Sequence, residues 1–232
     1  RRRSEINWSI SKDLAVRAHV ALQKHVGRDL PVQLKMEKRI PVGGGLGGGS
    51  SDAAAMLRGV NELFSLGLSL EELARIGATI GSDVPFLVHG GSAIVEGMGD
   101  TITRHPKPPE LHAVLAFPDV FCPTARVYGL FDELGGANLR AQAVVALSSN
   151  ARLAADAPFK DLAVAAIRAA PSLEDDLAAL SRLVERPAHI SGSGSSLFVI
   201  CDDPAHAVAL ADAVQTKLNL PAVSVQSIQP NP

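Results

Sequence analysis

The fold of this chain is decided by one short stretch, Pro41-Val42-Gly43-Gly44-Gly45-Leu46-Gly47-Gly48-Gly49-Ser50-Ser51-Asp52-Ala53-Ala54. Glycine fills six of the seven positions from 43 to 49. Without side chains the backbone N–H groups can turn toward one point, and the following residues predict a helix N-terminus, which attracts anions. The hydroxyls of Ser50 and Ser51 can cap this helix, bond a phosphate oxygen or help to hold a magnesium ion. A phosphate chain is therefore the expected ligand of the loop.

Two other interpretations of the loop fit the sequence less well. A flexible linker is not expected between a strand and a helix that both have regular hydrophobic patterns. A Walker A loop requires Lys followed by Ser or Thr after its last glycine. Here Gly49 is followed directly by Ser50, so the Walker A interpretation fails.

The dinucleotide-binding fingerprint of the Rossmann fold is the remaining alternative. Gly43, Gly45 and Gly48 satisfy its G-x-G-x-x-G spacing. That fold also requires a second strand that ends in an acidic residue about 20 residues later. The chain instead continues into a helix at 69–80, whose first residues have the pattern of a capping box. The Rossmann fold is therefore the weaker alternative.

Hydrophobic periodicity predicts a mixture of helices and strands around the loop. A helix is expected at 11–26, and a half-buried strand at 31–38 with Val32, Leu34 and Met36 on one face. After Pro85 the pattern becomes strand-like through Val95. Further on we expect strands at 112–117, 197–201 and 222–225, and helices at 124–134, 139–147, 160–170, 173–185 and 204–217. Because strands and helices do not alternate regularly, the predicted fold class is α+β.

A proline-rich stretch at 105–109 is the best candidate for a domain boundary. We therefore predict a first domain at 1–104 and a second domain at 105–232. The first of these begins with three arginines and no Met, and it enters a helical pattern quickly. This start is typical of a chain that begins inside a domain, so the first domain is expected to be incomplete at its start.

Composition narrows the class of protein. A formal net charge of −2 and a pI near 6.4 give no reason to expect nucleic acid or an anionic membrane as a partner. No apolar run approaches the ~20 residues that span a bilayer. Cys122 and Cys201 lie among apolar residues and are expected to be reduced and structural. We expect a cytoplasmic protein, monomeric or homodimeric, that acts on a small molecule.

Four strings resemble motifs of the GHMP kinases. The loop with its following alanine-rich helix is similar to the family's second motif, Pro-x-x-x-Gly-Leu-Gly-x-Gly-Ser-Ser. Residues 81–86 resemble Gly-Ala-Asp-Val-Pro-Phe, and residues 96–100 resemble Glu-Gly-Ile-Gly-Glu. The third motif of the family is similar to Ser191-Gly192-Ser193-Gly194-Ser195-Ser196-Leu197-Phe198. These strings occur in the order and approximate spacing of the family.

The resemblance implies a two-domain fold, with an N-terminal domain like domain 2 of ribosomal protein S5 and a ferredoxin-like C-terminal domain. It also implies ATP and Mg²⁺ as cofactors, bound in the cleft between the domains. Residues 38–54, with Asn61 and Leu63, are similar to the diphosphocytidyl-methylerythritol kinases in particular. That branch phosphorylates the 2-hydroxyl of a cytidine diphosphate-linked methylerythritol in non-mevalonate isoprenoid biosynthesis.

The site residues follow from the resemblance, position by position. Asp83 is the expected catalytic base, which accepts the proton of the substrate hydroxyl. Tyr128 lies where the family has an aromatic side chain that stacks on the cytosine ring. ATP and its phosphates are expected to contact Lys38, Pro41, Gly43, Gly44, Gly45, Leu46, Gly47, Gly48, Gly49, Ser50, Ser51, Ser191, Gly192, Ser193 and Gly194.

Each of these roles has a structural alternative. Asp83 could merely cap a helix or close a turn, as Asp often does. Lys38 could be a solvated lysine at the end of a strand, and Tyr128 a half-buried helix residue. Asp52 is a rival for the base, but helix capping explains it better, because a carboxylate that faced bound phosphates would repel them. The histidines have no ligand-like spacing, so no protein-held metal is expected.

The chain departs from the family's pattern near its start. Neither the segment Pro-x-Lys-x-Asn-Leu, whose lysine assists phosphoryl transfer, nor the segment Asp-Gly-Tyr-His, which helps to hold cytidine, occurs in it. The Asn-Leu pair that begins the family's first helix is here Asp13-Leu14, which changes one expected adenine contact. The expected explanation is a truncated or incompletely recorded chain of a normal enzyme. The alternatives are a family member that acts on a different alcohol and a nucleotide-binding protein without catalysis.

Overall fold

The structure is a computed structural model that describes residues 8–97, 99, 101–105, 110–136, 140–149 and 154–228. The chain forms two compact units. The first contains residues up to Val42 and Gly47–His105, and the second contains Gly43–Leu46 and the residues from Pro106 onward. The glycine loop is therefore divided, with its first four residues in the second unit and the rest in the first.

The described part of the first unit contains a short 3-10 helix (Ile10–Lys12), four α-helices and one hairpin. The helices are α1 (Leu14–Val26), α2 (Gly48–Leu63), α3 (Leu70–Ala78) and α4 (Val84–His89), and the antiparallel strands are β1 (Ser92–Glu96) and β2 (Thr101–His105). Local chemistry sets several helix ends. Asp13 caps α1 by accepting a hydrogen bond from the N–H of Ala15, and Ser69 and Glu72 form the predicted capping box of α3.

The core of the first unit is aliphatic. Helix α1 contributes Leu22, α2 contributes Leu57, α3 contributes Leu73 and α4 contributes Val84 and Val88, all fully buried. Burying one such side chain contributes about 1.5–3 kcal/mol relative to leaving it exposed. The same packing holds α4 against α2, which fixes the residues before α4 relative to the glycine loop's helix.

Two predictions for the first unit are wrong. Residues 31–38 form no strand, because no strand within the described residues pairs with them and Leu34 is 45% exposed. Residues 84–89 form the helix α4 and not the start of a strand, since Pro85 fits the first turn of a helix and Val88 then reaches the core. The loop's helix also begins earlier than expected, at Gly48 instead of Ser50.

The pH dependence of stability is expected to report on His89, the last residue of α4. Burial lowers the pKa of His89 below its ordinary value of 6.5, and the charge of Arg104 acts in the same direction. The unfolded chain therefore takes up a proton that the folded chain resists, so stability is complete above pH 6.5 and falls as the pH drops toward the folded pKa. Urea unfolding from about pH 7 to about pH 5 should show this decline, and His89→Gln should reduce it. Equal slopes in the two proteins would contradict the assignment.

The second unit has five helices and four strands among its described residues. In chain order these are β3 (His112–Ala116), α5 (Thr124–Glu133), α6 (Ala141–Ser149), α7 (Ala163–Ala169), α8 (Ser172–Val184), β4 (His189–Ile190), β5 (Leu197–Cys201), α9 (Pro204–Leu218) and β6 (Ala222–Gln226). The sheet has the order β4-β5-β3-β6, and all its pairings are antiparallel. This is the predicted ferredoxin-like arrangement. Its antiparallel pairing rules out the Rossmann alternative, which requires a parallel sheet.

One face of this sheet is packed against helices. Val114 and Val199 lie opposite each other in the sheet and are fully buried with Leu173 and Leu180 of α8. Cys122 and Cys201 are also buried and form no disulfide, as expected. Burial raises the pKa of both thiols, so they behave as small apolar side chains. Strand β5 begins directly after the glycine-serine turn at 191–196. Because β5 is part of this core, the core supports the turn.

Candidate functional site

A continuous run of residues in the glycine loop has free backbone N–H groups, four of them in the second unit and four in the first. Within the described residues, no N–H group from Gly43 to Ser50 donates a hydrogen bond. Part of this row is the first turn of α2, whose N–H groups have no partner inside the helix. Unpaired N–H groups in a glycine loop and at a helix N-terminus favour an anion such as phosphate. This is the property that the sequence predicted for the loop.

The first half of the loop is braced by the glycine-serine turn within the second unit. The Ser191 hydroxyl donates to the carbonyl of Gly45 at 3.0 Å, and the Ser196 N–H donates to the carbonyl of Gly44 at 3.1 Å. The Ser193 hydroxyl lies 3.1 Å from that of Thr124, which begins α5. Because these bonds use the loop's carbonyls, its N–H groups are left free to face a ligand.

The second half of the loop forms the N-terminus of α2 within the first unit. Gly47 precedes the helix with a left-handed φ of 64°. The hydroxyls of Ser50 and Ser51 follow one turn later, and neither has a hydrogen-bond partner among the described residues. Both are oxygen donors of the kind that magnesium accepts. Pro41 and Leu46, the two other residues expected near the phosphates, are half-buried.

Lys38 and Asp52 form an ion pair that closes the base of the loop. The Lys38 ammonium donates to a carboxylate oxygen of Asp52, and the lysine side chain is only 10% exposed. The indole ring of Trp8 lies 5.6 Å from the same ammonium. Lys38 is therefore not a solvated lysine at a strand end. The proposal that Asp52 caps α2 is wrong as well, because Gly47 holds the N-cap position and Asp52 faces Lys38.

Breaking this ion pair is expected to lower stability. Asp52→Ala leaves the buried Lys38 ammonium without its carboxylate, which should lower the free energy of unfolding by about 1–3 kcal/mol. Urea unfolding measures the change, and Asp212→Asn on the exposed face of α9 is the control that should leave it unaltered. The pair would be shown to contribute nothing if Asp52→Ala unfolded at the same urea concentration as the wild type.

Asp83 lies directly before α4 with its carboxylate exposed. It occupies the N-cap position of α4, but its side chain makes no capping hydrogen bond. The carboxylate is exposed and accepts only a long bond of 3.5 Å from the hydroxyl of Ser82 among the described residues. Buried Val84 and Pro85 follow it and fix its backbone. The side chain therefore does not cap α4, but Asp83 does lie in the turn that precedes this helix, so the alternative of a turn residue still applies.

Two of the motif strings meet beside Asp83. Gly99, from the string at 96–100, approaches the backbone of Ser82 so closely that an added Cβ would lie 2.8 Å from the Ser82 carbonyl carbon. On the other side, Leu87 of α4 lies against Gly47, where a Cβ would be 3.8 Å from the leucine. The segment that carries Asp83 thus contacts Gly99 on its N-terminal side and the start of α2 through Leu87.

Tyr128 is available for contact with a ligand. It lies on α5 between the buried residues Val127 and Leu130, yet it is itself 52% exposed. The alternative of a half-buried helix tyrosine therefore remains compatible with its exposure. Two further aromatic residues were not predicted as neighbours of site residues: Trp8 lies beside Lys38, and Phe121 lies beside Gly43. Both act through tertiary contacts that have no local sequence pattern.

The histidines have ordinary structural surroundings. His189 lies 2.9 Å from the carbonyl of Ala155 and packs on Phe198, and His112 lies 3.3 Å from Glu110. In the part of the chain that the structure describes, no group of three or more His, Cys, Asp or Glu side chains could hold a metal ion. No helix in that same part has both the length and the apolar character needed to cross a membrane.

Comparison with protein families matches both parts of the chain. Residues 13–91 match the family described as the GHMP kinases N terminal domain, and residues 137–220 match the GHMP kinases C terminal family. The first match includes Lys38, the glycine loop and Asp83, and the second includes the glycine-serine turn at 191–196. The two matches therefore contain almost all of the expected site, apart from Tyr128.

Two curated relatives of this chain have the same name. A 4-diphosphocytidyl-2-C-methyl-D-erythritol kinase of Gloeobacter violaceus is 39% identical over 209 residues, which cover 85% of this chain and 68% of the relative. A protein of the same name from Exiguobacterium sibiricum is 49% identical over 121 residues, covering 52% of this chain and 42% of the relative. The chain thus spans from under half to about two thirds of the length of these relatives.

Solved structures agree on the fold. The crystal structure of a 4-(cytidine 5'-diphospho)-2C-methyl-D-erythritol kinase matches with a TM-score of 0.77 and 30% identity, covering 96% of this chain and 80% of that one. A homoserine kinase from Cytophaga hutchinsonii matches with a TM-score of 0.68 at 16% identity, covering 97% and 79%. The second likeness shows the fold alone.

Proposed function

This chain belongs to the GHMP kinases, among the 4-diphosphocytidyl-2-C-methyl-D-erythritol kinases, and on that premise we propose its reaction. It transfers the γ-phosphate of ATP to the 2-hydroxyl of 4-diphosphocytidyl-2-C-methyl-D-erythritol. The observation that carries the proposal is the set of free N–H groups from Gly47 to Ser50 at the start of α2, with an exposed carboxylate at Asp83 in the same unit. The reaction belongs to the cytoplasm, where ATP is supplied.

The glycine loop binds the phosphates of ATP in this proposal. Its N–H groups point to no protein acceptor among the described residues, so they can donate to phosphate oxygens without first breaking a bond. Fixed donors stabilise the charge that develops on the transferred group, and they need no rearrangement during the reaction. Ser191 and Ser196 hold the loop in this arrangement through its carbonyls. Positioning and charge neutralisation supply most of the catalysis.

Asp83 acts as the base. Its carboxylate accepts the proton of the 2-hydroxyl while the hydroxyl oxygen forms a bond to the γ-phosphorus of ATP. The bond between that phosphorus and the bridging oxygen of ADP breaks, and ADP leaves with the electron pair. An exposed carboxylate with no capping bond is free to take up this proton. Since α4 follows Asp83 directly and Gly99 lies against Ser82, the backbone of Asp83 has a fixed position in its unit.

The serine hydroxyls at the start of α2 are suited to binding magnesium. It prefers oxygen ligands and is usually bound together with the phosphates of the nucleotide. The free hydroxyls of Ser50 and Ser51 are oxygen donors at the phosphate-binding end of α2, so we assign them to its coordination. When bound, the ion would neutralise charge on the phosphates. Lys38 adds a positive charge near the base of the loop, and Asp52 keeps it in place.

Tyr128 is our candidate for recognition of the cytidine group. An exposed ring on a helix that is otherwise anchored in the core can stack on a base without moving the helix. The adjacent Thr124 contacts Ser193, which links this part of α5 to the glycine-serine turn. Within the second unit, a base-stacking residue and a phosphate-loop brace therefore belong to one connected structure.

The substrate is tested by measuring ADP release with a panel of alcohols. The protein, produced as the chain and as the complete gene product, is supplied with ATP, Mg²⁺ and one of diphosphocytidyl-methylerythritol, homoserine or mevalonate. ADP release that requires the diphosphocytidyl substrate supports the proposal. Release with another alcohol alone would move the assignment to a different GHMP kinase reaction. ATP binding without release for any alcohol would favour a nucleotide-binding protein without catalysis.

A further inference from the structure

Phe121 is an exposed aromatic residue in an unusual position. It lies between β3 and α5, where Val120 and Cys122 pack into the core of the second unit. Its own side chain is 63% exposed and does not join that core. The ring instead lies against Gly43, the first glycine of the loop. Because the Phe121 side chain is mostly exposed, its burial contributes little to the stability of the fold. Stability therefore does not explain why a phenylalanine occupies this position.

The contact between Phe121 and Gly43 is specific to a glycine. Gly43 has a left-handed φ of 73°, and a Cβ added to it would lie 2.8 Å from Cδ2 of the phenylalanine ring. The ring thus fills the space in which any other residue would place its side chain. Gly43 carries the first of the free N–H groups in the loop. The ring therefore influences the position of this first N–H group.

The hydrogen bonds that brace the loop do not reach Gly43, where the ring of Phe121 lies. The bracing hydrogen bonds from the glycine-serine turn reach the carbonyls of Gly44 and Gly45. For Gly43, no backbone hydrogen bond is present in the part of the chain that the structure describes. Glycine has more conformational freedom to lose than any other residue, so an unbraced glycine here would have to be ordered by the ligand. The ring replaces that missing restraint.

We propose that Phe121 is a positioning residue, whose ring holds Gly43 in the conformation that binds phosphate and thereby sets the affinity for ATP. The predicted change in KM rests on the proposed function. The Kd for ATP tests the role of Phe121 separately, because it can be measured without phosphate transfer. A loop already ordered before binding costs less to order during binding. The proposed role of the ring involves only the phosphate-binding loop, so its removal should weaken ATP binding equally in the ground state and the transition state.

The test is Phe121→Ala, compared with the wild type in steady-state kinetics and in calorimetric titration with ATP and Mg²⁺. We expect KM and Kd for ATP to rise by about tenfold, with kcat within about twofold. Phe121→Tyr keeps the ring and should restore both constants. Val208→Ala, which shortens an exposed side chain on α9 of the same unit, should change neither. The thermal midpoint of Phe121→Ala should stay close to that of the wild type, because the ring is mostly exposed.

A double substitution tests the contact itself. Gly43→Ala alone should weaken ATP binding, because its methyl group would displace the exposed ring and its left-handed φ would be strained. In a Phe121→Ala background the same change should cost less, since the clash is gone and only the left-handed strain remains. Additive effects of the two changes, or an unchanged Kd in Phe121→Ala, would overturn the inference. If the wild type binds ATP but transfers no phosphate, the proposed function fails, and the Kd values still decide the role of Phe121.

Discussion

Asp83→Asn is expected to lower kcat by about a thousandfold, while the Kd for ATP stays within about twofold. The amide has nearly the shape of the carboxylate but cannot accept the proton of the substrate hydroxyl. The carboxylate makes no capping bond in α4, so the change removes little that the fold depends on. Single-turnover measurements with saturating ATP and the diphosphocytidyl substrate give the rate of the chemical step, and calorimetry gives the affinity.

Asp52→Asn is the matched comparison for Asp83→Asn. Asp52 was the rival candidate for the base, but its carboxylate faces Lys38 at the base of the loop. We expect Asp52→Asn to lower stability more than Asp83→Asn, and to lower kcat far less. The assignment of the base would be contradicted by the reverse pattern, in which Asp83→Asn turns over normally and Asp52→Asn does not.

Gly45→Ala is expected to have the largest effect on the phosphate loop. Gly45 has a left-handed φ of 69°, and a Cβ there would lie 2.8 Å from the carbonyl oxygen of Gly194 and would overlap the carbonyl of Ser191. Left-handed strain and overpacking together should lower the free energy of unfolding by about 2–4 kcal/mol. The affinity for ATP should fall by at least about tenfold, because the loop and the glycine-serine turn can no longer approach each other. Urea unfolding and ATP calorimetry measure the two effects.

Gly59→Ala is the control for this substitution. Gly59 is an exposed residue inside α2, and an added Cβ would have no neighbour within 4 Å. The same chemical change should therefore stabilise the protein by about 0.5–1 kcal/mol, through helix propensity alone. Equal stability of Gly45→Ala and wild type would show that the turn at 191–196 does not contact the loop as described.

Features with local causes were predictable from the sequence. The capping box of Ser69 and Glu72 lies within four residues, and the structure has both of its hydrogen bonds. The glycine loop followed by a helix could be predicted for the same reason, since its glycine content and the serines after it are contiguous. The ferredoxin-like sheet followed from the family resemblance, because strand order depends on contacts that no short segment encodes.

Features that depend on distant partners could not be predicted in the same way. Residues 31–38 alternate like a strand, but a strand also needs a neighbour, and the described residues supply none. Helix α4 has six residues, too few to show a helical period, so its apolar residues resembled a strand. The grouping of Gly43–Leu46 with the second unit depends on the turn at 191–196, almost 150 residues away.

The sequence supports a proposal for the chemistry of the candidate site, but it does not predict the contacts of the site residues. The residue types of the loop indicated phosphate binding, and the resemblance indicated Asp83 as the base. The partner of Lys38 could not be inferred, because helix capping and an ion pair are equally compatible with an Asp in the first turns of a helix. In the sequence Phe121 has no feature that distinguishes it from other phenylalanines. Its ring lies against Gly43 only in the folded protein. Its part in the site remains a proposal.

The most direct test of the central claim is to follow phosphate transfer by ³¹P NMR. The complete gene product is incubated with ATP, Mg²⁺ and 4-diphosphocytidyl-2-C-methyl-D-erythritol, and the spectrum is recorded over time. We predict that a phosphomonoester resonance grows in step with those of ADP, in equal amounts, and that Asp83→Asn abolishes it. The claim would be contradicted if ATP bound to the protein but gave no phosphomonoester, or gave only inorganic phosphate.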